Sequence, residues 1–174
     1  RQRQMCIRDR ELISAGLAVN GKNGRLYDKF RNRLMLPVID VRGDVVGFGS
    51  RVLDKSEPKY MNTPETLTYS KRRVLYGLNL AKKTKRPNII LCEGNLDVVT
   101  LHQAGFDNAV ASMGTALTVE QTRLLSRYTK ELVLCYDNDN AGQQATRRAL
   151  ELLNNSEFSV KVLQLPCLLY TSDA

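Results

Sequence analysis

From residue 88 onward, short apolar runs alternate with stretches whose apolar residues recur at helical spacing. Residues 88–92, 109–112, 131–136 and 159–165 are short and built around Ile, Val, Leu and Ala, so they read as strands. Between them, residues 96–104 form a helical pattern closed by Gly105. Thr118 and Gln121 make a capping box that opens the next helix, and residues 141–153 supply a third. Strand and helix therefore alternate as βαβαβαβ, which implies a mostly parallel sheet covered on both faces.

The first half is patterned differently. Residues 11–16 suggest a short helix, and Asn20-Gly21-Lys22-Asn23-Gly24 a turn-rich loop. Residues 34–40 and 45–50 read as two strands joined by a hairpin turn at Arg42-Gly43-Asp44. Gly47 and Gly49 in the second strand point to a bulge, or to close approach of a ligand or another backbone. Residues 54–70, polar and broken by Pro58 and Pro64, read as an ordered loop. Residues 75–85 return to helical spacing through Leu75, Leu78 and the stem of Lys82. Lys82-Lys83-Thr84-Lys85-Arg86-Pro87 then marks a boundary between lobes. The expected fold class is α/β, with an α+β basic N-terminal lobe at 11–86 and a mostly parallel sheet flanked by helices at 87–166.

Charge sharpens this division. The chain carries a net +8, but residues 1–86 hold 20 Lys/Arg against 8 Asp/Glu, whereas residues 87–174 hold 6 against 10. A basic half joined to an acidic half suggests polyanion binding beside a metal site; the alternative is a merely solvated basic surface. No run of about 18 apolar residues offers a membrane span, and the start lacks the order of a signal peptide. The cysteines Cys6, Cys92, Cys135 and Cys167 form no C-x-x-C pair, and two fall inside expected strands. They read as reduced core cysteines of a cytoplasmic protein. With one histidine, His102, and no ligand spacing among the cysteines, zinc is not expected.

The candidate chemistry lies where two expected strands end. Glu93-Gly94-Asn95-Leu96-Asp97 follows Ile89-Ile90-Leu91-Cys92, and Asp137-Asn138-Asp139-Asn140-Ala141-Gly142 follows Leu132-Val133-Leu134-Cys135-Tyr136. In open α/β sheets the carboxyl ends of strands are where sites form. Clustered carboxylates repel one another unless a cation neutralises them, and hard oxygen donors suit Mg²⁺ or Mn²⁺. Asp137-x-Asp139 is equally compatible with an Asx-rich turn opening a helix, and Asp97 with a first-turn acid favoured by the helix dipole. Three or four carboxylates on one edge point to phosphoryl or nucleotidyl transfer. His102 reads as a helix-surface residue, and Met35, Met61 and Met113 as core fillers. Gly114-Thr115 is either a phosphate-binding turn or a plain strand-to-helix turn.

Leu91-Cys92-Glu93-Gly94-Asn95-Leu96-Asp97-Val98-Val99, Ala111-Ser112-Met113-Gly114-Thr115 and Tyr136-Asp137-Asn138-Asp139-Asn140-Ala141-Gly142 together resemble the Toprim domain of bacterial DnaG-type primases. Upstream, Phe30-Arg31-Asn32-Arg33-Leu34-Met35-Leu36-Pro37, Gly47-Phe48-Gly49-Ser50-Arg51-Val52-Leu53, Pro58-Lys59-Tyr60-Met61-Asn62-Thr63-Pro64-Glu65-Thr66 and Lys71-Arg72-Arg73-Val74-Leu75-Tyr76-Gly77 resemble the basic lobe of the same polymerase domain. The resemblance runs over residues 11–166.

It implies synthesis of short RNA primers on single-stranded DNA from nucleoside triphosphates, at the bacterial replication fork in the cytoplasm. By the same matching, Glu93 is a metal ligand or general base, and Asp97, Asp137 and Asp139 help hold Mg²⁺ or Mn²⁺. Arg51, Lys59, Tyr60 and Lys71 would contact template or incoming nucleotide, and Arg31, Arg33 and Arg73 phosphate. A replicative helicase would engage only a domain outside this chain, and no membrane is implied. The sequence departs from the family at Asn95, where primases usually carry Tyr, and at Asn138, where they carry Gly. After Pro166 it also lacks the Asp-Pro-Asp motif that completes the family's metal site, and Asp173 does not replace it. Residues 1–10 and 167–174 read as translated adaptor sequence rather than native tails. The alternatives are another Toprim enzyme, a nuclease or topoisomerase, and a non-catalytic module that binds metal and single-stranded nucleic acid. The basic-lobe motifs, and the absence of a tyrosine placed for strand cleavage, count against the former.

Overall fold

The computed structural model of the chain describes residues 9–114 and 116–163. The readings of residues 1–8, Thr115, the strand end at 164–165 and the segment 167–174 fall outside them. Asp9 and Arg10, assigned above to the tail, form the first turn of helix α1 (Asp9–Ser14).

The chain packs as two compact units. One joins the chain up to Val38 with Val45–Ser70, and the other joins Ile39–Asp44 with the chain from Lys71 onward. The expected boundary at residue 86 therefore differs from the packing. Leu75, Leu78 and Ala81 are buried in the same cluster as Leu91 and Leu134, which ties residues 71–86 to the second unit.

In the first unit, β1 (Ala18–Asn20) and β2 (Leu26–Asp28) form an antiparallel hairpin around the expected Asn20–Gly24 loop. Strands β3 (Arg33–Ile39), β4 (Val45–Val52) and β5 (Tyr60–Asn62) form a sheet in that order. The turn between β3 and β4 is held by one carboxylate. Asp40 Oδ1 accepts the backbone N–H groups of Arg42, Gly43 and Asp44 at 2.8, 3.0 and 3.0 Å, and Gly43 adopts φ +105°. At Gly47 a Cβ would lie 3.2 Å from the buried Tyr69 ring and 3.3 Å from Thr63. A packed aromatic side chain, rather than a ligand or a second backbone, accounts for that glycine.

The second unit is built on the expected parallel sheet, in the order β7-β6-β8-β9, with β6 (Asn88–Cys92), β7 (Ala109–Ala111), β8 (Glu131–Cys135) and β9 (Ser159–Val162). Period-2 alternation sorts its side chains onto two faces. Ile89, Leu91, Val110, Leu132 and Leu134 join one cluster with Leu125 of α4 (Val119–Leu125) and Ala149 and Leu153 of α5 (Asn140–Leu153). Cys92, Ala109, Ala111 and Cys135 join another with Val98 of α3 (Asn95–Gln103). Each fully buried leucine contributes on the order of 2 kcal/mol. Cys92 and Cys135 are buried free thiols side by side on β6 and β8. The neighbouring Cys135 thiol and burial push the Cys92 thiol above its ordinary pKa.

The helix expected over 75–85 is reduced to the single turn α2 (Leu78–Ala81). Gly77 has φ +81°, outside helical geometry, and Tyr76 instead bridges Ala111 at the β7 edge. A side chain at Gly77 would press on Val98 Cγ1 at 2.8 Å and on the Ala109 carbonyl at 3.0 Å. The Lys82 ammonium, expected to lie by its stem along the core, donates to the Val41 carbonyl.

Candidate functional site

Strands β6 and β8 are parallel neighbours in register, Cys92 beside Cys135. The chains leaving their carboxyl ends therefore emerge together, Glu93 from one and Asp137 from the other after Tyr136. This places the two acidic turns on one edge. The Asp137 backbone N–H is near enough to the Glu93 carboxylate to lower its pKa, in part offsetting burial and repulsion.

Each turn also opens a helix, and one acid in each acts as its cap. Asp97, the third residue of α3, reaches back so that Oδ2 accepts the Gly94 amide at 2.9 Å. Asp139 is the N-cap of α5, with Oδ1 accepting the Gly142 amide at 2.7 Å. The acids that open the two helices are therefore the same residues as two of the candidate site acids. Asp97 turns back toward the strand end, and a second oxygen remains on each carboxylate. Among the described residues Asn32 is the non-glycine residue with positive φ, so Asn138 occupies its turn without a left-handed backbone. Asn in place of the family's Gly is accommodated without strain there.

The electrostatics describe a site short of positive charge. Partial burial, repulsion from Asp137, Asp139 and Asp97, and only one compensating backbone N–H hold the Glu93 pKa above the ordinary carboxylate range. Burial and then Asp137 raise Asp97 despite the Gly94 hydrogen bond, and burial and Asp139 raise Asp137. Among the described residues no three His, Cys, Asp or Glu groups converge as a ready-made metal cage. The donor set nonetheless fits a hard divalent cation, because it offers carboxylate oxygens alone and its members destabilise one another's charge.

The structure distributes the expected nucleic-acid contacts between the two units. In the first, Arg51 and Tyr60 face each other across β4 and β5, with the guanidinium carbon 5.9 Å from the ring centroid. Arg31 lies 6.0 Å from the Tyr27 centroid and is exposed. Arg33 donates from Nη2 to the Pro58 carbonyl at 2.8 Å, which commits part of its guanidinium to holding that loop. Lys59, half-buried, has its amide on Glu57 and its carbonyl on Val52. In the second unit, Lys71 is half-buried and Arg73 exposed. His102 ties α3 to β7 by donating from Nε2 to the Ala109 carbonyl at 2.9 Å, a packing role. Met113 is fully buried, as expected. The sequence reading missed the contribution of Gln121 beyond its cap: it is buried and donates to the Lys71 and Val74 carbonyls, both at 2.9 Å. Those partners lie 50 and 47 residues away, so no local spacing could reveal them.

Comparison with known proteins accords with this geometry. Residues 2–82 match the family described as DNA primase catalytic core, N-terminal domain, and residues 90–173 match the Toprim-like family. Both matches reach into the end segments set apart above. The DNA primase of Clostridium acetobutylicum is 51% identical over 157 residues, covering 90% of this chain and 26% of that protein. The chain thus spans about a quarter of that relative's length. Among solved structures, a DNA primase domain from Pseudomonas aeruginosa superposes with a TM-score of 0.84 at 41% identity, covering 90% of this chain and 51% of that one. A DnaG primase catalytic domain bound to single-stranded DNA gives 0.84 at 42%, covering 91% and 53%.

Proposed function

Because the chain belongs to the bacterial DnaG-type primase family, we propose that it is the primer-synthesising part of such an enzyme, acting on nucleoside triphosphates over a single-stranded DNA template. The observation that carries this reading is the acidic edge. Glu93, Asp97, Asp137 and Asp139 stand at the carboxyl ends of two adjacent parallel strands, and three of them are raised in pKa by burial and mutual repulsion.

The four carboxylates would hold Mg²⁺ or Mn²⁺, and the bound ion would supply the charge that offsets their repulsion and that of the substrate phosphates. The 3′-hydroxyl oxygen of the growing strand attacks the α-phosphorus of the nucleoside triphosphate. A phosphodiester forms, the bond to the bridging oxygen breaks, and pyrophosphate leaves. Glu93 would act at the catalytic centre either as a ligand of that ion or as the general base that accepts the hydroxyl proton. Asp97 and Asp139 fix the geometry of the two turns through their caps. Arg51, Lys59, Tyr60 and Lys71 would contact template or nucleotide, with Arg31, Arg33 and Arg73 on phosphates, as cations and a stackable ring allow. The working location is the replication fork in the bacterial cytoplasm.

The test is primer synthesis on single-stranded DNA with Mg²⁺ or Mn²⁺, alongside template binding by the same protein. The reading expects labelled primers from the unsubstituted chain and a loss of roughly a hundredfold or more in Glu93→Gln. Template binding with no synthesis in either protein would favour the second reading, a binding module whose acidic site is not completed within this chain. That reading draws on Pro166 being followed by Cys167-Leu168 rather than Asp-Pro-Asp.

A further inference from the structure

We propose that Gln121 is a positioning residue: with Thr118 it clamps the basic turn Lys71-Arg72-Arg73-Val74 in the shape that presents Lys71 and Arg73 to phosphate-bearing ligands. The inference rests on the assignment of those two cations as ligand contacts.

Three consecutive cations repel one another, and residues 71–74 belong to no helix or strand that would fix their backbone. Their carbonyls are instead gripped by the first turn of α4. Gln121 is fully buried and uses its amide completely. Its oxygen accepts the Thr118 N–H at 3.1 Å, and its nitrogen donates both hydrogens, to Lys71 O and Val74 O. The Thr118 hydroxyl accepts the Gln121 N–H at 3.1 Å and donates to Arg72 O at 2.7 Å. The carbonyls of residues 71, 72 and 74 are thus all bound to one capping box.

The same turn of α4 also engages the side chains. Arg72 pairs with Glu120 at 3.3 Å, and Arg73, also exposed, adds its charge at the same carboxylate. A helix cap alone requires neither the amide hydrogens of Gln121 nor the Arg72 carbonyl, since the box closes through Thr118 and Gln121 themselves. The extra bonds tie the cap to the basic turn. The ligand chemistry is a phosphodiester or polyphosphate, supplied by the template strand or by the incoming nucleotide.

The experiment measures binding of a fluorescent oligodeoxythymidylate and, separately, of Mg·ATP to the full chain over a series of salt concentrations. Gln121→Glu keeps the shape and the oxygen that faces Thr118 but can no longer donate to Lys71 O and Val74 O together. It should weaken binding roughly tenfold, the effect of losing one charge-assisted hydrogen bond between a displaced cation and a phosphate. For the oligonucleotide, the slope of log affinity against log salt should fall by about 0.7 for each phosphate that the displaced cations no longer neutralise. In a Lys71→Ala/Arg73→Ala background, the Gln121 substitution should change binding by less than about twofold, because the groups it positions are gone. An effect confined to the oligonucleotide assigns the turn to the template, and one confined to Mg·ATP assigns it to the nucleotide; either supports the clamp. If Gln121→Glu does not fold, Thr118→Val, which removes only the hydroxyl link, is carried through the same cycle. A loss of thermal stability with unchanged binding of both probes, or full additivity with the double alanine background, overturns the inference. If the double alanine variant itself binds both probes normally, the assignment of Lys71 and Arg73 fails first, and the clamp has nothing to position.

Discussion

Asp139 Oδ1 accepts the Gly142 amide at 2.7 Å while the same carboxylate raises the pKa values of Asp137 and Glu93. Cap and charge are two separable properties of one side chain. Asp139→Asn keeps an oxygen for the Gly142 amide and removes the charge, so the fold should lose no more than about a few tenths of a kcal/mol. Asp139→Ala removes both and should cost about 1 kcal/mol in urea unfolding. Divalent-ion affinity, followed by calorimetric titration, should fall in both variants alike. A normal affinity in Asp139→Asn would remove Asp139 from the metal set.

The raised acids make a pH prediction whose sign is opposite to that of a salt-bridged carboxylate. Glu93, Asp97 and Asp137 are each raised, so the folded state holds their protons more tightly than the unfolded chain does. Their protonated forms are compatible with the fold below the ordinary carboxylate range. As pH rises from that range through the elevated values, stability is lost. Thermal unfolding in EDTA should therefore show a melting temperature that falls across this window, and Mg²⁺ should reduce the fall. Glu93→Gln should flatten the EDTA profile and raise the melting temperature at neutral pH while weakening the response to Mg²⁺. A profile identical in the variant would show that the repulsion is relieved elsewhere.

Gly142 fixes how closely α5 approaches the end of β8. A Cβ there would fall 2.0 Å from the Asp137 carbonyl oxygen and 2.8 Å from its carbon, both backbone atoms that cannot swing aside. Gly142→Ala should therefore destabilise by about 2–3 kcal/mol, the upper range for overpacking. It should also weaken divalent-ion binding more than an equally destabilising core substitution such as Leu153→Ala, because relief of the clash must displace Asp137. Comparing the two variants at matched fraction folded checks the distinction.

What the sequence made legible follows from how local each signal is. The acidic edge could be read because residue identity and strand termini lie together in the chain, and the Asp40 turn because Arg42-Gly43-Asp44 carries its own geometry. The strands β1, β2 and β5 are three residues each, too short for period-2 alternation to register. The helix over 75–85 failed at Gly77, whose positive φ answers to the tight contact with Val98 and Ala109, tertiary neighbours that no local pattern encodes. For Asp97 and Asp139 the sequence leaves cap and candidate ligand as alternatives, because spacing does not tell whether a cap excludes a ligand; the structure shows the caps. The bonds from Gln121 to Lys71 and Val74 had no sequence signal at all.

Asn32 separates Arg31 from Arg33, and its backbone sits at φ +50°. Its amide donates to Asp54 Oδ2 at 2.7 Å and its carbonyl accepts the Leu53 N–H at 3.3 Å, so the turn is tied to the chain leaving β4. A left-handed backbone suits Asn and Gly but costs about 1 kcal/mol for a residue with an ordinary Cβ. Asn32→Gly should retain the turn and most of the stability, whereas Asn32→Val should distort the turn and destabilise by about 1–2 kcal/mol, since a β-branched side chain is the least compatible with that conformation. If Arg31 and Arg33 contact phosphate, oligonucleotide affinity should follow the backbone rather than the Asn32 amide. It should be near normal in Asn32→Gly and reduced severalfold in Asn32→Val under conditions where both remain folded. Equal losses in the two variants would instead assign the contribution to the Asn32 side chain and its bond to Asp54.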